Sequence, residues 1–546
     1  MRKKHFLFAS VLALLCGSST LHAQDFKLTS SGYFKNQGVD VMAFDDIYPE
    51  GHQGGVCIIM NGHRVATNGD IRLEATPGQW QPVPKQLDRK LGDNSITATL
   101  CYPDSSRHLT GFNPMIYPDL HLIYTVNVES KGKNIEVTVD LDRPIPQEFI
   151  GKVGFNLEFF PGSLFGKPWI MDGQSGIFPQ QPNSPLMTTQ PNYLHTGNYH
   201  DGKKSLADMD KLIGKGYSPI VADDIISEPY AKGTKFTSRP DDPYNKVTIE
   251  SLSGDLQLFD GRMNHNNGWF VLRSNIKPGV TKGAVKWIIT PNVVADWMYQ
   301  PVIQTSQIGY HPTQDKEAVI EMDIRDNRKE TAQIIRIDAD GEKVVKNVTP
   351  ANWGKFLRYN YLKVNFTDVK EPGLYKIKYN TSVSPIFRID NDVYARGVWQ
   401  PVLEYFLPVQ MCHMRVNEKY RVWHDCCHMD DAQMAPAHNH IDGYDQKEGL
   451  SKFKPGEVVP GVNIGGWHDA GDFDLRIESQ AGESYILALA YEAFHPNLDV
   501  TSIDQINRVT EIHQPDGKND LLQQVENGAL TVVNGYLALG RLYRGI

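Results

Sequence analysis

Cysteine is scarce in this sequence: six occur in 546 residues. That excludes a small secreted scaffold held together by disulfides. Positive charge is also in short supply, with 55 Lys and Arg against 64 Asp and Glu and a formal net charge of -9. A protein that binds nucleic acid electrostatically needs a basic face, and this balance speaks against one. Beyond the N-terminus no apolar run approaches the ~20 residues of a membrane span, so an integral membrane protein is not expected. No biased tract or internal repeat is visible, which excludes collagen-like, disordered and solenoid architectures. His-Glu-x-x-His occurs nowhere, removing the commonest metalloprotease signature. What remains is an ordinary folded composition, 40% hydrophobic and 22% charged. At ~100–200 residues per domain it has room for three or four domains.

The first residues say where such a protein works. Arg2, Lys3 and Lys4 form a positive start, Phe6 to Leu15 an apolar stretch, and Leu21-His22-Ala23 a small-residue exit before Gln24. This is the layout of a secretory signal peptide spanning 1–23. The expectation is export, secreted or periplasmic, with cleavage after Ala23. Cys16 invites a lipoprotein reading, but Leu15 stands where a small residue should precede a lipidated cysteine. Cleavage removes three positive charges and no acidic ones, so the exported chain is more acidic still.

From 24 to 300 the pattern is β. Val56–Met60, Leu120–Val128, Ile135–Leu141 and Val285–Thr290 are β-branched and aromatic, several alternate with polar residues, and turn residues bound them. Asn61-Gly62 and Asn68-Gly69 read as tight turns. A large antiparallel β-sandwich is expected, interrupted by a Gly-, Pro- and Asn-rich region from Pro161 to Tyr217. A second β unit, 301–391, has runs at immunoglobulin-like spacing: Val302-Ile303, Ala318–Met322, Ala332–Ile337, Tyr361–Phe366, Leu374–Tyr379 and Pro385–Ile389. It lacks the Cys…Trp…Cys core. From 392 to 546 the period shifts towards 3.6, and an all-α domain is expected. One helix, Arg476–Phe494, should bury Ile477, Ala481, Tyr485, Ala488, Leu489 and Ala493. Another, Leu521–Leu542, should bury Leu522, Val525, Ala529, Val532, Val533, Tyr536 and Leu539. Gly528, Gly535 and Gly540 interrupt the second, each costing ~1 kcal/mol against Ala unless close packing needs it. Asp392–Cys412 looks helical, with Pro401 and Pro408 splitting it.

Polar chemistry concentrates in this last region. Gly465-Gly-Trp-His-Asp-Ala-Gly-Asp472 places Asp469 and Asp472 three residues apart before a helix. Paired carboxylates there could hold and deprotonate a water, although such a pattern also serves as plain helix capping. Trp467 could stack on a sugar ring or sit in the core. Cys412, Cys427, His428 and His468 supply two thiols and two imidazoles from separated segments, a set suited to tetrahedral zinc. The spacing matches no standard zinc finger. A disulfide is the rival, and His424, His438 and His440 widen the choice of ligands. Cys57 and Cys101 read as small buried hydrophobes.

Taken together these residues resemble glycoside hydrolase family 9, the cellulase family, over the stretch from about Val302 onward. Thr305-Ser-Gln-Ile-Gly-Tyr-His-Pro312 looks like the opening of the immunoglobulin-like domain that precedes many of its catalytic domains. Cys427-His-Met-Asp-Asp-Ala432 and Gly465–Asp472 resemble the first two characteristic blocks of its (α/α)6 barrel. The resemblance implies a multidomain fold: large β-sandwich, immunoglobulin-like β-sandwich, then the N-terminal part of an (α/α)6 barrel. It implies an inverting glycoside hydrolase acting on a β-1,4-glucan such as cellulose, mixed-linkage glucan or xyloglucan. Asp472 would be the general base, Asp469 its partner in holding water, and Trp467 a substrate contact. Structural zinc would sit on Cys412, Cys427, His428 and His468; calcium is admitted, and no organic cofactor is implied.

Two departures stand out. Leu475 occupies a position where the family usually has Lys, and Asp520-Leu-Leu-Gln-Gln524 lacks the acidic residue that often follows such a block. The family's general acid is a Glu near the barrel's C-terminus, and Glu478, Glu483 and Glu526 match no such block. With the last domain starting near 392, twelve helices of ~11–12 residues do not fit before Ile546. The expectation is therefore an N-terminal fragment, inactive alone. The competing reading is a non-catalytic glycan-binding or scaffold protein with Trp80, Tyr117, Trp169 and Tyr193 as its aromatic platform.

Overall fold

The computed structural model describes residues 25–45, 47–48, 51–52, 54–73, 84–102, 120, 122–184, 186–188, 225–263, 268–430, 432–435, 449–469 and 475–546. Residues 1–23 lie outside these. Among the described residues no helix is long and apolar enough to cross a membrane. The chain divides into two compact units, Met1–Tyr299 and Gln300–Ile546.

The first unit is built on two nine-stranded antiparallel sheets. One runs, in spatial order, Lys27–Leu28, Phe34–Asn36, Val39–Ala43, Val56–Met60, His63–Leu73, Val153–Phe159, Phe270–Asn275, Leu256–Asp260 and Ala231–Gly233. The other runs from Gln174–Ile177 through Pro168–Met171, Lys235–Ser238, Val247–Ser251, Val285–Pro291, Asn134–Leu141 and Leu122–Lys131 to Ser95–Tyr102 and Lys85–Leu91. Strict alternation explains why the second sheet has one core face: Ile135, Val137, Val139 and Leu141 are buried while their neighbours are not. A common core joins the sheets, with Phe155 edge-on to Trp287 at 5.0 Å.

Asn61-Gly62 forms the expected two-residue hairpin turn between Met60 and His63, with φ of 52° and 85°. Asn68-Gly69 does not turn the chain. It lies inside His63–Leu73, where the pairing with Val153–Phe159 slips by one residue and Asn68 takes φ 55°. The motif is a bulge, and its Asn68 Nδ2 donates to Glu158 Oε2 at 2.7 Å. Trp169 is likewise not an exposed platform residue: it is buried and stacks on Tyr230 at 6.5 Å. Trp80, Tyr117 and Tyr193 lie outside the described residues. Cys57 is buried as expected, its thiol donating to Gly54 O at 2.9 Å, whereas Cys101 is half-buried.

In the second unit the β portion is a sandwich of two sheets. One has the order Val302–Gln304, Glu317–Asp323, Tyr359–Asn365, Ala351–Phe356; the other contains Gly341–Val348, Ala332–Asp338, Gly373–Tyr379, Ser382–Val383 and Phe387–Ile389. The strands Gly341–Val348 and Ala351–Phe356 were not among the expected runs, because their residues are almost all solvent-facing and show no buried alternation. The Thr305–Pro312 segment packs onto the core of this sandwich through Tyr310. Tyr310 packs edge-on against Phe366 and Phe387 at 5.1 and 5.3 Å, and its hydroxyl donates to Glu317 O and accepts from Ser306 N. A side chain at Gly309 would meet Arg388 O at 2.3 Å, so the close approach requires glycine.

The C-terminal portion differs from the all-α expectation. Helical turns follow at Val402–Phe406, which starts directly after Pro401, and at Leu407–Gln410, which carries Pro408 at its beginning, where a missing N–H is tolerated. They are followed by a four-stranded sheet in the order Arg421–His424, Arg415–Glu418, Val509–Ile512, Thr501–Asp504. These four-residue strands are too short and too charged to show a period in the sequence. Two long helices, Ile477–Phe494 and Asp520–Leu539, are present. Asn519 caps the second, accepting from Leu521 N and Leu522 N, and Gly540 ends it at φ 69°.

Both helices turn a different face inward from the one apolar periodicity indicates. The first buries Ile477 and Gln480 and leaves Tyr485, Ile486, Leu489 and Phe494 exposed. The second buries Gln523, Gln524, Asn527, Gly528, Thr531 and Gly535 and leaves Leu522, Val533, Tyr536 and Leu537 exposed. The inward face is chosen by hydrogen bonds to the loop that precedes the first helix, described next.

Candidate metal centre and carboxylate loop

Cys412 follows the helical turn Leu407–Gln410 and is buried. Cys427 and His428 follow the strand Arg421–His424, in a bend where His428 takes φ 48°. That left-handed residue lets two adjacent ligands face one point, which neither a helix nor a strand allows. His468 comes from the Gly465-Gly466 loop, both glycines at positive φ. One ligand atom from each of these four residues lies within 4.8 Å of the others. Cys412 Sγ is 2.9 Å from His428 Nδ1, Cys427 Sγ is 3.0 Å from His468 Nε2, and the two sulfurs are 3.6 Å apart. The two thiols form no disulfide, their sulfurs lying well beyond the ~2.05 Å of such a bond. Among the described residues no other group of His, Cys, Asp and Glu converges in this way, so nothing there adds to the expectation of calcium.

The local chemistry fits a soft divalent ion. The Cys427 thiol is held far below its usual range by its hydrogen bond with Cys412, against the opposing effect of burial, with further help from His428, His468 and the His413 N–H. A thiolate is the form a metal needs. Of the other candidate ligands, His424 is engaged elsewhere, its two ring nitrogens on Asp425 O and Val409 O at 2.9 Å each. Cys426 Sγ lies near Arg508 O at 3.9 Å, outside the cluster. His438 and His440 lie outside the described residues.

Asp469 follows His468 directly and is exposed. Ser479 Oγ donates to its Oδ1 at 2.9 Å, and Arg476 Nε stands 3.5 Å from Oδ2. The Glu483 carboxyl is pushed above its usual value by loss of hydration and by the charge of Asp469. Asp472, the other carboxylate of the motif, lies outside the described residues.

Trp467 is a core residue, 1% exposed. Its indole Nε1 donates to Gln524 Oε1 at 2.8 Å, its backbone N–H donates to Gln480 Oε1 at 2.7 Å, and Gln480 Nε2 donates back to its carbonyl at 3.0 Å. The ring covers Gly528, where a Cβ would sit 2.4 Å from it. The expected stacking on a sugar is therefore not available to this side chain in the structure: both its packing and its hydrogen bonds point inward. Four residues that the sequence reading passed over do the local work. Gln480, Gln524 and Asn527 clasp Gly466 and Trp467, and His413 touches both ligand loops. Polar residues on an amphipathic helix read as solvent-facing, which is why the three amides were missed.

The β portion of the second unit carries a recognisable signature: residues 298–384 match the family described as the cellulase N-terminal Ig-like domain. Chains of known structure resemble larger parts of the protein. A metagenome-derived glycoside hydrolase family 9 endoglucanase is 23% identical over 45% of this chain and 42% of its own, with a TM-score of 0.34. A Zn-binding triple mutant of the family 9 endoglucanase J30 is 22% identical over 43% of this chain and 40% of its own, with a TM-score of 0.32. A protein of Synechocystis sp. PCC 6803 is 10% identical over 53% of this chain and 100% of its own, with a TM-score of 0.24. The chain thus spans about two-fifths of the length of the endoglucanases it resembles. No curated protein sequence matches it.

Proposed function

We propose that this sequence is part of an exported, inverting β-1,4-glucan hydrolase of the family 9 type. The observation that carries the reading is the junction His468–Asp469. One loop delivers a ligand to the Cys/His cluster and, one residue later, an exposed carboxylate. An immunoglobulin-like domain of the cellulase kind precedes it in the chain. Both long helices keep apolar residues on the side facing away from their shared polar seam. An apolar helix face that this unit leaves exposed suits a further helical layer packed against it, which supports a barrel of paired helices.

Cys412, Cys427, His428 and His468 would hold zinc. When bound, the metal supplies a cross-link between the three segments that carry these ligands, with all four positions taken by protein. Catalysis falls to the carboxylates. Asp472 acts as general base on a water beneath the anomeric carbon, and Asp469 holds that water and orients its neighbour. Ser479 and Arg476 fix the position of the Asp469 carboxylate. An inverting enzyme needs its acid ~6.5–9.5 Å from the base to admit the water. No residue of this sequence is assigned to that acid role.

The test is release of reducing sugar from a soluble β-1,4-glucan by the protein that contains this sequence. Asp472→Ala should abolish it, and the first-formed product should be the α-anomer by NMR. An Asp472→Ala protein with an unchanged rate would overturn the assignment.

A further inference from the structure

The two loops that deliver metal ligands meet at a residue that is not itself a ligand. His413 is fully buried, with its backbone in the left-handed region at φ 64°. In that conformation its N–H points at Cys427 Sγ, 3.3 Å away. Its ring Nδ1 lies 2.9 Å from Gly465 O. A carbonyl oxygen only accepts, so Nδ1 carries a proton and donates to it, while Nε2 lies 3.8 Å from Cys412 Sγ. Arg508 Nη1 braces the same junction, donating to Asn463 O at 2.8 Å and reaching His413 O at 3.4 Å. The far side of the glycine turn is held as well, since Cys412 N and Asn527 Nδ2 both donate to Gly466 O.

We propose that His413 is the positioning residue of the metal centre. Its backbone N–H orients the Cys427 thiolate, and its imidazole N–H ties Gly465 so that His468 and then Asp469 emerge in register. The inference rests on the metal reading above. The residue type follows from the geometry. A left-handed backbone disfavours β-branched side chains and tolerates Asn better than most. The Asn amide nitrogen can also donate from nearly the position of His Nδ1. Ala keeps the backbone bond to Cys427 but loses the tether to Gly465.

The experiment uses the full chain, stripped with a chelator and then titrated with Zn²⁺ against a chromophoric competitor. A parallel sample takes Co²⁺ and is read by its ligand-field and thiolate charge-transfer bands. Wild type should take up one equivalent. His413→Ala should bind about 10–100-fold more weakly, the usual cost of losing an outer partner of a ligand, with shifted Co²⁺ bands. His413→Asn should restore both affinity and spectrum. His413→Ala with wild-type affinity and an unchanged spectrum overturns the proposal. Where His413→Ala does not fold, a folded His413→Asn that binds about tenfold or more weakly overturns it equally. A wild-type chain that takes up neither metal defeats the metal reading instead, a distinct result.

Discussion

Gln480 and Trp467 hold each other twice. The Trp467 N–H donates to Gln480 Oε1 at 2.7 Å, and Gln480 Nε2 returns a bond to the Trp467 carbonyl at 3.0 Å. The pair fixes the backbone of the residue between the glycine turn and His468, and it places the start of the first long helix against that loop. Buried amides engaged through both ends are costly to disturb, because breaking one bond leaves the partner without water to replace it. Gln480→Leu should therefore destabilise the C-terminal region by ~2–3 kcal/mol. Chemical denaturation followed by the fluorescence of the chain's tryptophans would measure it.

Trp467 separates a core role from a substrate role. Trp467→Phe keeps most of the ring volume but leaves Gln524 Oε1 without its donor. A loss of ~1–3 kcal/mol in stability is expected. For the active protein, KM on soluble glucan should stay near wild type. A large rise in KM with unchanged stability would return Trp467 to the substrate site.

Gly528 is a crossing point. A Cβ there would meet Ser484 Oγ at 2.1 Å and the Trp467 ring at 2.4 Å. In an open helix Gly528→Ala would gain ~1 kcal/mol. Here overpacking should reverse the sign, with a net loss of ~1–3 kcal/mol visible as a lower thermal midpoint.

Asp520 gives the C-terminal region a pH signature. Burial pushes its carboxyl up to about 6, opposed by hydrogen bonds from Val500 N and Thr501 N and reinforced by Asp499 and Asp516. A folded-state value above the unfolded one means the stabilising contribution is complete below about pH 4 and is lost as pH rises through about 6. Wild type should lose ~2–3 kcal/mol over that window relative to Asp520→Asn. The Asn variant, with one acceptor for two N–H groups, should be less stable at low pH but flatter across it. Urea midpoints between pH 4 and 7 would check the difference in slope; parallel slopes would contradict it.

If zinc occupies the Cys412, Cys427, His428 and His468 cluster as proposed, removing it should loosen the surrounding C-terminal region. Dialysis against a strong chelator is expected to lower the thermal midpoint of the C-terminal transition and expose Cys412 and Cys427 to a thiol reagent. Cys427→Ser should mimic the treated wild type and show no further response to chelator. Equal thiol reactivity before and after chelation would count against a bound metal.

The two faces of the long helices show how far one sequence reaches. Composition, charge and the alternation in runs such as Ile135–Leu141 determined that the first unit is β and where several strands lie, because a sheet with one wet face imposes a period of two on its residues. Asn61-Gly62 determined its own turn, since both residues accept positive φ locally. The same dipeptide at Asn68-Gly69 became a bulge, because the neighbouring strand Val153–Phe159 continues past it and a hairpin there would break that pairing. The helices at Ile477–Phe494 and Asp520–Leu539 were legible, but not their inward faces. Periodicity marks the apolar stripe, but the inward face was decided by Gln480, Gln524 and Asn527, whose partners are the backbone of Gly466 and Trp467 and the Trp467 indole in the preceding loop. Likewise Cys412, Cys427, His428 and His468 were identifiable by residue type alone. Only the tertiary structure could bring them within 4.8 Å, because convergence needs a bend at His428 and a glycine turn at Gly465-Gly466 to point separated segments at one place.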